Sequence, residues 1–572
     1  MTINALTRSY PCIAQDGVRR TQYPNGDYAS GIVAITLAVS GQGQDVSAGG
    51  TITGVAPFAV FFDATSTTDS TSYDTFNALG YHHDFGYAAE ADAGYWTYPD
   101  GEDNLAKCRY VGGPMAGHVY ETPGTYTYSV KAQNPDGEVD YKYVTVVVTD
   151  PDTVYAGVTT TYVASSPGAG ETLWPGTDVT LTSAANNTRI VFKPGTYVGT
   201  LKIPVTSGTA ITGLWIGAYD PNSPPVFSSA TGVQLCNNTT NLASIGTTTP
   251  GWPTNIIVSG IEGRVSDEGA TQFLLIHNCD MTGKAVPGFG SIGDDYFGNQ
   301  ESGSGLTNQV WNNPRDVFIV GCTIDDPAST STMFLYGSRV CWMGNYFGQS
   351  KEHGTRVKAC YKGLYAFNYV TGYNDYPVHD GKNLITVRTQ EISTIEADAT
   401  TPATINKTGT WAATRVMKGT ENQRGAVSTR FFVVDSNVLG ATDHTADCPW
   451  GMAADMPNDF AVFYKSDIIF QRNKRYKSVT PTPLAALQPW NGQRITFRHN
   501  EDYTSGSSSP AMPSGTARLG TSTAQGNATM IADPTTYYGP YYINTGTETV
   551  TNGLTADRII EAPIMLSPTK AP

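Results

Sequence analysis

Two stretches of the chain, SRVCWMGNYFG at residues 338–348 and KGLYAFNYVTG at residues 362–372, share one pattern. Each has a short run of mostly apolar residues, then an asparagine, an aromatic residue and a glycine. The offset between the asparagines, Asn345 and Asn368, is 368 − 345 = 23. Cys322 stands at the same offset before Asn345, and Asn437 stands at three times that offset after Asn368. Self-similarity at a fixed period indicates a repeat fold.

The repeating unit is one short strand with β-branched and aromatic residues, and no stretch shows a sustained helical stripe. Related units lie out of phase at Asn278, Asn473 and Asn500. This period predicts a parallel β-helix, whose stacked coils bury a continuous core. The leucine-rich repeat has a similar period, but its leucine pattern is absent. A β-sandwich with chance similarity is the other alternative.

The asparagines have a predicted role in the coil. Asparagine tolerates left-handed backbone at a turn, and its amide can hydrogen-bond from coil to coil. We therefore predict that Asn345 and Asn368 lie one coil apart, about 4.8 Å along the stack.

A family resemblance supports the β-helix. The sequence NTRIVFKPGTYVG (187–199), followed by ITGLWIGAYDPNSPPVF (211–227), resembles the first coil of right-handed β-helix proteins of the pectate-lyase type. The resemblance implies a right-handed parallel β-helix over residues 187–503. It implies little about chemistry, because one fold carries many functions.

A different module precedes the repeats. Residues 50–149 contain GVAPFAVFFDATST, YHHDFG, GHVYETPGTYTYSVKAQNPDG and VDYKYVTVVV, in that order. They resemble a PKD domain, which implies an immunoglobulin-like β-sandwich. The family usually has Trp before Asp-Phe-Gly and Asp-Gly after it, whereas here His83 precedes and Tyr87 follows. A loop of residues 87–116 replaces a short turn, and such a loop is either a binding element or a surface excursion.

The predicted fold class is all-β, with an immunoglobulin-like sandwich followed by a right-handed parallel β-helix. The expected divisions are an N-terminal attachment arm (1–49), the sandwich (50–149), a linker leading into the β-helix (150–186), the β-helix (187–503) and a C-terminal tail or cap (504–572).

Composition excludes several partners. Charged residues make up 15% of the 572-residue chain, the net charge is −15, and there is no Lys/Arg-rich run. Nucleic acid and anionic membranes are therefore not expected as partners. The N-terminus shows no apolar signal segment, and no apolar run is long enough to span a membrane. The eight cysteines form no C-x-x-C pair, so we expect buried, reduced thiols and neither a cofactor nor a metal site.

The densest group of ionisable residues lies in KEHGTRVK (351–358) and YPVHDGKNLITVR (376–388). In both, a base follows a histidine at the third position, and the offset between the histidines, 379 − 353 = 26, is close to one coil. The two sets are expected to stack on neighbouring coils. The predicted carbohydrate-binding residues are Glu352, His353, Arg356, Lys358, His379, Lys382 and Arg388.

Stacked bases on a β-helix suit an acidic polysaccharide. They also suit a lyase, which needs a base for the proton beside a uronate carboxylate and positive charge for the enolate. Arg356 and Lys358 are the candidate catalytic residues for that reaction. The alternative is a solvated structural ladder, with Glu352 paired to a neighbouring base.

Adjacent carboxylates form a second candidate site. Asp294-Asp295 and Asp325-Asp326 lie at turns, and glycoside hydrolysis needs two carboxyl groups. Asp325 and Asp326 are the candidate catalytic pair. Together with His-Gly and Arg-x-Lys, the pair is similar in order to polygalacturonases, but the spacing departs, since His353-Gly354 runs straight into Arg356. Ordinary turn chemistry is the simpler explanation. The cluster Asp443, His444 and Asp447 is better explained as a polar loop than as a cation site.

Three function hypotheses follow. The first is a phage virion protein (a tailspike, fibre or head decoration) that attaches to host-surface polysaccharide, forms a homotrimer and contacts other virion proteins. The second is a secreted polysaccharide lyase or glycoside hydrolase, and the third is a bacterial adhesin. Two modules that normally act outside cells, without a visible export signal, favour the virion.

Overall fold

The fold was analysed in a computed structural model. It describes residues 10–13, 19–22, 32–70, 75–76, 78–96, 105–134, 137–156, 160–207, 209–228, 232–237, 250–267, 271–282, 315–325, 331–350, 353–373, 385–388, 430–439, 452–455, 465–476, 492–498, 501–503, 515–517, 528–531 and 541–544.

The N-terminal part of the chain forms a hairpin and a β-sandwich. The hairpin consists of β1 (Tyr10–Ile13) and β2 (Arg19–Gln22). The strands of the sandwich region are β3 (Val33–Ala34), β4 (Ala38–Gly41), β5 (Gln44–Ser47), β6 (Thr51–Val55), β7 (Phe58–Asp63), β8 (Thr68–Asp69), β9 (Gly80–Asp84), β10 (Tyr95–Trp96), β11 (Leu105–Ala106), β12 (Arg109–Gly112), β13 (Met115–Tyr120), β14 (Gly124–Gln133) and β15 (Val139–Thr149). One sheet has the order β12-β9-β14-β15-β6 and the other β13-β7-β4-β5. A short helix, α1 (Glu90–Ala93), lies between β9 and β10.

The second sheet of the sandwich is buried on both faces. All six residues of β7 and all six of β13 are buried. A sheet with one solvated face would alternate buried and exposed positions. Here the first sheet packs on one face and the β-helix on the other, so the region has three layers.

The β-helix follows helix α2 (Pro151–Val154). Except for Thr206–Ser207 and Pro250–Gly251, which pair antiparallel with each other, its strands pair in parallel. They are β16 (Thr160–Ala164), β17 (Thr172–Leu173), β18 (Val179–Thr180), β19 (Arg189–Phe192), β20 (Thr196–Tyr197), β21 (Leu201–Pro204), β22 (Thr206–Ser207), β23 (Thr212–Ala218), β24 (Val226–Phe227), β25 (Val233–Asn237), β26 (Pro250–Gly251), β27 (Thr254–Ser259), β28 (Val265–Asp267), β29 (Gln272–His277), β30 (Arg315–Val320), β31 (Thr323–Ile324), β32 (Ser331–Met343), β33 (Tyr346–Ser350), β34 (His353–Ala366), β35 (Tyr369–Tyr373), β36 (Ile385–Arg388), β37 (Arg430–Asp435), β38 (Val438–Leu439), β39 (Met452–Asp455), β40 (Lys465–Gln471), β41 (Lys474–Tyr476), β42 (Gly492–Arg498) and β43 (Glu501–Tyr503).

Several sheets run along the coils, among them the parallel sheet β18-β21-β25-β28 in the first coils. The main sheet has the order β17-β16-β19-β23-β27-β29-β30-β32-β34-β37-β40-β42. The second sheet, in the later coils, has the order β31-β33-β35-β38-β41-β43. The first halves of the long strands β32 and β34, together with β36 and β39, form what we call the third sheet. The predicted all-β class, with a sandwich and a parallel β-helix, is confirmed, while the PKD assignment stays a prediction.

The C-terminal tail begins with an antiparallel strand. β44 (Gly515–Ala517) pairs antiparallel with β42 and ends the parallel series. A further hairpin is formed by β45 (Ala528–Ile531) and β46 (Tyr541–Asn544).

An asparagine ladder runs through the interior of the later coils. Asn345 Nδ2 donates to Asn368 Oδ1 at 2.9 Å, Asn368 Nδ2 donates to Asn437 Oδ1 at 3.0 Å, and Asn437 Nδ2 donates to Asn473 Oδ1 at 2.8 Å. All four residues are buried. The prediction that Asn345 and Asn368 lie one coil apart is confirmed. Cys322 continues the column, because its amide donates to Asn345 Oδ1 at 2.9 Å.

The predicted period holds for only part of the β-helix. In the main sheet, Arg315 pairs with Ser338 and Ser338 with Tyr361, and both steps have the predicted length, since 338 − 315 = 361 − 338 = 23. The next partner is Arg430, and the offset 430 − 361 = 69 is a single coil rather than the three that the spacing suggested. Asn473 does not follow the 23-residue period in sequence, but its side chain belongs to the ladder.

The boundaries also differ from those expected. Residues 33–47 supply β3, β4 and β5 to the sandwich instead of belonging to an arm. The first strand of the main sheet in chain order is β16, which pairs with β19 and lies within the segment 150–186 that was expected to lead into the β-helix. The segment 150–156 is a docked element: Asp150 caps α2, and the Tyr155 ring is buried.

The sandwich is packed onto the outward face of the main sheet. One buried apolar cluster joins sandwich residues to outward residues of the coils, among them Trp215, Ile257, Leu275, Phe318 and Leu364. The contact is close, since a Cβ atom at Gly117 of β13 would lie 3.2 Å from the Phe318 ring and would overlap the Cys341 sulfur.

Polar contacts at the edges fix the position of the sandwich. Lys362 Nζ donates to Asp63 Oδ2 at 2.6 Å, and Trp215 Nε1 donates to the Ala56 carbonyl at 3.2 Å. His277 and Glu121 lie 3.3 Å apart between Nε2 and Oε1. Burial alone would raise the pKa of Glu121, but its hydrogen bonds to His277 and Lys107 lower it to about 2.

The loop at residues 87–116 is part of this interface. The Trp96 ring stacks on Phe367 of the β-helix at 5.3 Å between centroids. Tyr110 donates its hydroxyl to Asp435 at 2.7 Å, and that carboxylate also accepts from Arg472 Nε at 2.9 Å. The insertion that departs from the PKD pattern therefore holds the two modules together.

Candidate functional site

The outward face of the main sheet is covered over much of its length. The outward side chains of Phe318, Cys341, Leu364, Val433 and Ile469 each retain 2% exposure or less. A ligand cannot reach this surface while the sandwich is docked. A binding site on these coils must therefore use another face.

The third sheet brings two of the predicted basic residues into register. Lys358 on β34 pairs with Arg388 on β36, and Arg388 pairs with Asp455 on β39. In-register partners on neighbouring parallel strands lie about 4.8 Å apart. Position 356 lies in the next outward row and pairs with Thr386. Positions 356 and 358 fall on the opposite face of the strand from Thr355 and Val357, which are buried in the core.

The other predicted members divide into two groups. His353 is the first residue of β34 and pairs with Ser331. Glu352, His379, Lys382 and Asp326 lie outside the described residues, as do Asp294, Asp295 and the Asp443, His444 and Asp447 cluster. The predicted stacking of His353 on His379 therefore stays a prediction.

Asp325 lies on a different part of the coil. It follows β31 in the second sheet, and its carboxylate lies over Gly348 of the next coil, where a side chain would overlap it. Lys358 belongs to the third sheet. The sequence analysis named Asp325 and the bases as two separate candidate sites, and the fold places them beside two different sheets.

The register of the third sheet defines what it can bind. Two cationic positions on adjacent coils are followed by one carboxylate position, and the next row contributes Arg356. Adjacent cations of this kind suit a carboxylate-bearing chain that lies along the stack, because arginine and lysine bond carboxylates strongly. Asp455 was missed by the sequence analysis. Its offset from Arg388 is 455 − 388 = 67, and no local motif marks it.

Other buried ionisable groups serve the fold. Burial lowers the pKa of His83 to about 3, although its hydrogen bond to the Gly113 carbonyl opposes that shift. Burial likewise lowers the pKa of His118 to about 3. His83 contacts the Tyr128 hydroxyl at 2.7 Å, and His118 contacts the hydroxyl of Tyr87 at 2.9 Å. Both are neutral histidines inside the sandwich, and these contacts involve His83 and Tyr87, the two positions where the sequence departs from the PKD pattern.

Six cysteines of the described residues are packing residues. Cys108, Cys236, Cys279, Cys322, Cys341 and Cys360 are all buried and free of disulfide bonds. Their burial agrees with the expectation for small hydrophobic side chains.

Comparisons with known proteins give no family. The sequence matches no protein-family model and no curated protein. Among solved structures, the Family 28 exopolygalacturonase of Yersinia enterocolitica aligns over 78% of this chain and 74% of its own length, at 10% identity and a TM-score of 0.27. ORF18 of Geobacillus virus E2 aligns over 67% and 72%, at 8% identity and a TM-score of 0.28.

A third similar structure is the tailspike protein gp49 from Pseudomonas phage LKA1. It aligns over 83% of this chain and 62% of its own length, at 10% identity and a TM-score of 0.19. At scores this low, the likenesses carry no argument about the function of this chain. In the part of the chain that the structure describes, no helix is long and apolar enough to cross a membrane.

Proposed function

We propose that this protein is a phage virion component, of the tailspike, fibre or decoration kind, that attaches to host-surface polysaccharide through the third sheet of its β-helix. The observation that carries the proposal is the register of Lys358 with Arg388 on adjacent coils. The ligand is an acidic glycan, whose carboxylates repeat along the chain as the cationic positions repeat along the stack.

The docked sandwich supports this choice of face. It occupies the outward side of the main sheet with an apolar contact, and that leaves the other sheets for recognition. The backbone register holds the positions of Lys358 and Arg388 on adjacent strands, and a binding surface whose backbone is already ordered loses less conformational freedom on binding. The virion assignment rests on the combination of modules read from the sequence, as do the homotrimer and the contacts with other virion proteins.

Cleavage is the alternative function. A lyase would use Lys358 or Arg356 beside the uronate carboxylate, and a hydrolase would use Asp325 with a second carboxyl. We favour binding over cleavage because binding needs only cationic positions in register, as at Lys358 and Arg388, whereas the sequence supplies the residue types of a lyase or hydrolase without a recognised catalytic spacing.

The test is a binding and cleavage assay on one panel. Alginate, polygalacturonate and hyaluronate oligomers, with neutral glucans as references, are titrated against the full chain by calorimetry. Absorbance of unsaturated uronates and release of reducing ends are followed in parallel. We expect binding of at least one acidic oligomer, weakened by salt because exposed charge contacts are screened.

Matched variants locate the site. The double variant Lys358→Ala/Arg388→Ala should lose at least about tenfold in affinity. The control is Lys202 on strand β21, which forms an ion pair with Asp178, and Lys202→Ala should leave the affinity unchanged. Product release that is abolished by Lys358→Ala or Asp325→Asn would establish an enzyme instead. Binding that survives the double variant, or no acidic binding at all, would overturn the proposed site.

A further inference from the structure

Exposed apolar side chains are concentrated at the first coils of the β-helix. Among the described residues, nine large apolar side chains are exposed, and four of them are Tyr162, Leu173, Val198 and Tyr219. The other five belong to the sandwich and to α2. In the later coils, Tyr346 and Tyr369 pack on each other at 5.7 Å between centroids, and Tyr369 is 6% exposed.

The edge of the docked sandwich explains where this exposure begins. Tyr162 on β16 is the register partner of Val191 on β19. Val191 is 2% exposed within the interface cluster, whereas Tyr162 is 37% exposed. The outward position of the main sheet is thus covered by the sandwich at Val191 and exposed to solvent at Tyr162, one strand away.

The open tyrosines surround one ammonium group. Lys193 Nζ lies 3.2 Å from the Tyr219 ring centroid and 5.6 Å from that of Tyr162. The two rings are 6.1 Å apart and inclined at 72°. Lys193 also lies 3.5 Å from Glu171 Oε1, and Glu171 Oε2 is fixed by the Gly168 amide at 2.9 Å. We call these four residues, Tyr162, Glu171, Lys193 and Tyr219, the aromatic corner.

The electrostatics of the aromatic corner favour an uncharged ligand. The ammonium of Lys193 and the carboxylate of Glu171 cancel each other, so no net charge is available for a uronate. The hydrogen bond from Gly168 and the contact with Lys193 lower the pKa of Glu171, which is therefore an acceptor at neutral pH. A fixed donor beside a fixed acceptor matches the vicinal hydroxyls of a pyranose.

The ring geometry points to the same ligand class. A tyrosine presents a broad apolar face with a polar tip, and the C–H face of a sugar ring packs on such a surface. Tyr219 is 53% exposed even with Lys193 against it. Lys193 lies over both inclined rings, so a sugar unit would pack on the ring surface of Tyr162 and Tyr219 that the ammonium leaves open.

We propose that the aromatic corner is a second glycan subsite, which binds a neutral hexopyranose oligosaccharide at the N-terminal end of the β-helix. The subsite rests on the proposed attachment function and extends it, but shares no residue with the third sheet. The two sites differ in charge, so binding at the third sheet responds to salt and binding at the aromatic corner does not.

The experiment titrates the full chain with maltoheptaose, cellohexaose, laminarihexaose and mannohexaose, beside an alginate oligomer. We expect at least one neutral oligosaccharide to bind with a Kd of about 1 mM or below. Its affinity should hold from low salt to about 0.5 M salt, because screening acts on charge contacts. Tyr219→Ala and Tyr162→Ala should each weaken it about tenfold, and Tyr219→Phe should retain most of it because the ring is kept.

Controls separate this subsite from the proposed function. Tyr143→Ala removes a similarly exposed tyrosine of the sandwich and should leave neutral binding unchanged. The variant Lys358→Ala/Arg388→Ala should lose alginate binding only. Thermal unfolding of each variant checks that the exposed substitutions leave the fold intact.

Three results would overturn the subsite. They are no binding of any neutral oligosaccharide, binding that persists in the variant Tyr162→Ala/Tyr219→Ala, and a change in sedimentation of the free protein on those substitutions. The last would identify the aromatic corner as a contact between two copies of the chain. A parent protein that binds a neutral oligosaccharide but no acidic oligomer would contradict the third-sheet site and leave the subsite standing.

Discussion

The main sheet and the third sheet belong to the same coils, yet their outward faces differ. The main sheet presents Phe318, Cys341 and Leu364, all buried under the sandwich. The third sheet places Lys358 and Arg388 at adjacent outward positions. The backbone register is the same kind of parallel ladder in both. The difference shows that the coil sets the spacing, while the outward residue decides whether a face becomes an interface or a binding surface.

The main sheet and the third sheet enclose the same interior of the coils. A substitution in the asparagine ladder of that interior is therefore expected to have the largest effect on stability. Asn368→Leu removes the acceptor of the Asn345 amide and the donor to the Trp342 carbonyl, at 3.0 Å each. Buried groups left unpaired cost about 1–3 kcal/mol each, so the two groups predict a loss of about 2–6 kcal/mol in the free energy of unfolding. Urea unfolding followed by tryptophan fluorescence measures it.

Asn278 offers the matched control. It follows β29 in the same pattern, but its backbone is left-handed at φ 49° and its side chain is exposed. Asn278→Gly should stay within about 0.5 kcal/mol of the parent, since glycine accepts that conformation. An equal loss of unfolding free energy in Asn368→Leu and Asn278→Gly would contradict the proposal that the ladder contributes more to stability than an exposed asparagine.

Acid should destabilise the covered side of the molecule. His83 and His118 are neutral in the fold, where burial lowers their pKa values to about 3, and both titrate near 6.5 when unfolded. The unfolded chain therefore binds more protons below pH 6.5. The stability is fully present above that value and falls by about 1.4 kcal/mol per pH unit for each histidine.

Urea unfolding at several pH values between about 7 and 4.5 tests this expectation. The histidine slope is read above about pH 5, because below it the unfolded carboxyl of Glu121, whose ordinary pKa is 4.5, also begins to bind protons. His83→Gln should remove the share of the slope that belongs to His83, while His118 and His82, whose pKa burial also lowers, still contribute. A slope that is unchanged in His83→Gln would show that this histidine is not the titrating group.

A single methyl group in the sealed interface should have a smaller cost. Gly117→Ala puts a Cβ against the Cys341 sulfur and 3.2 Å from the Phe318 ring. Overpacking typically costs about 1–3 kcal/mol. Gly124→Ala on the next strand is the control, because its Cβ would meet neighbours at an ordinary 3.4 Å.

A double-mutant cycle sharpens the comparison. Cys341→Ala removes the sulfur that the added Cβ of Gly117→Ala would overlap. The double variant should therefore be more stable than the sum of the two single changes predicts. Additive effects would mean that the sandwich does not sit on Cys341.

The smallest effect is expected on the third sheet. Lys358→Ala/Arg388→Ala should change the free energy of unfolding by no more than about 0.5 kcal/mol, because charges outside the core contribute little to stability. Thermal unfolding measures it. A loss above about 1 kcal/mol would favour the structural-ladder hypothesis over a binding surface.

The sequence predicted local features well where the repeat was regular. Asn345 and Asn368 lie one coil apart, as their spacing required. The spacing failed at Asn437, because the coil that joins β34 to β37 is three times as long in sequence as the coil before it. Extra residues within one coil add no rise along the stack. The number of residues between two positions therefore no longer gives the number of coils between them. Of the candidate site, Lys358 and Arg388 were anticipated, but their partner Asp455 lies too far along the chain for any local pattern.

The sequence by itself determined the coil: alternating strands, left-handed turns and an amide column are all local chemistry. Only the tertiary structure decided that the sandwich covers the main sheet. The runs FAVFFD and MAGHVY and the outward residues Trp215 and Phe318 are apolar whether they face a core or a partner layer. An apolar residue predicts that its side chain is removed from water, but it does not predict which element covers it. The reason is that the free energy of burial depends on apolar area and has no direction.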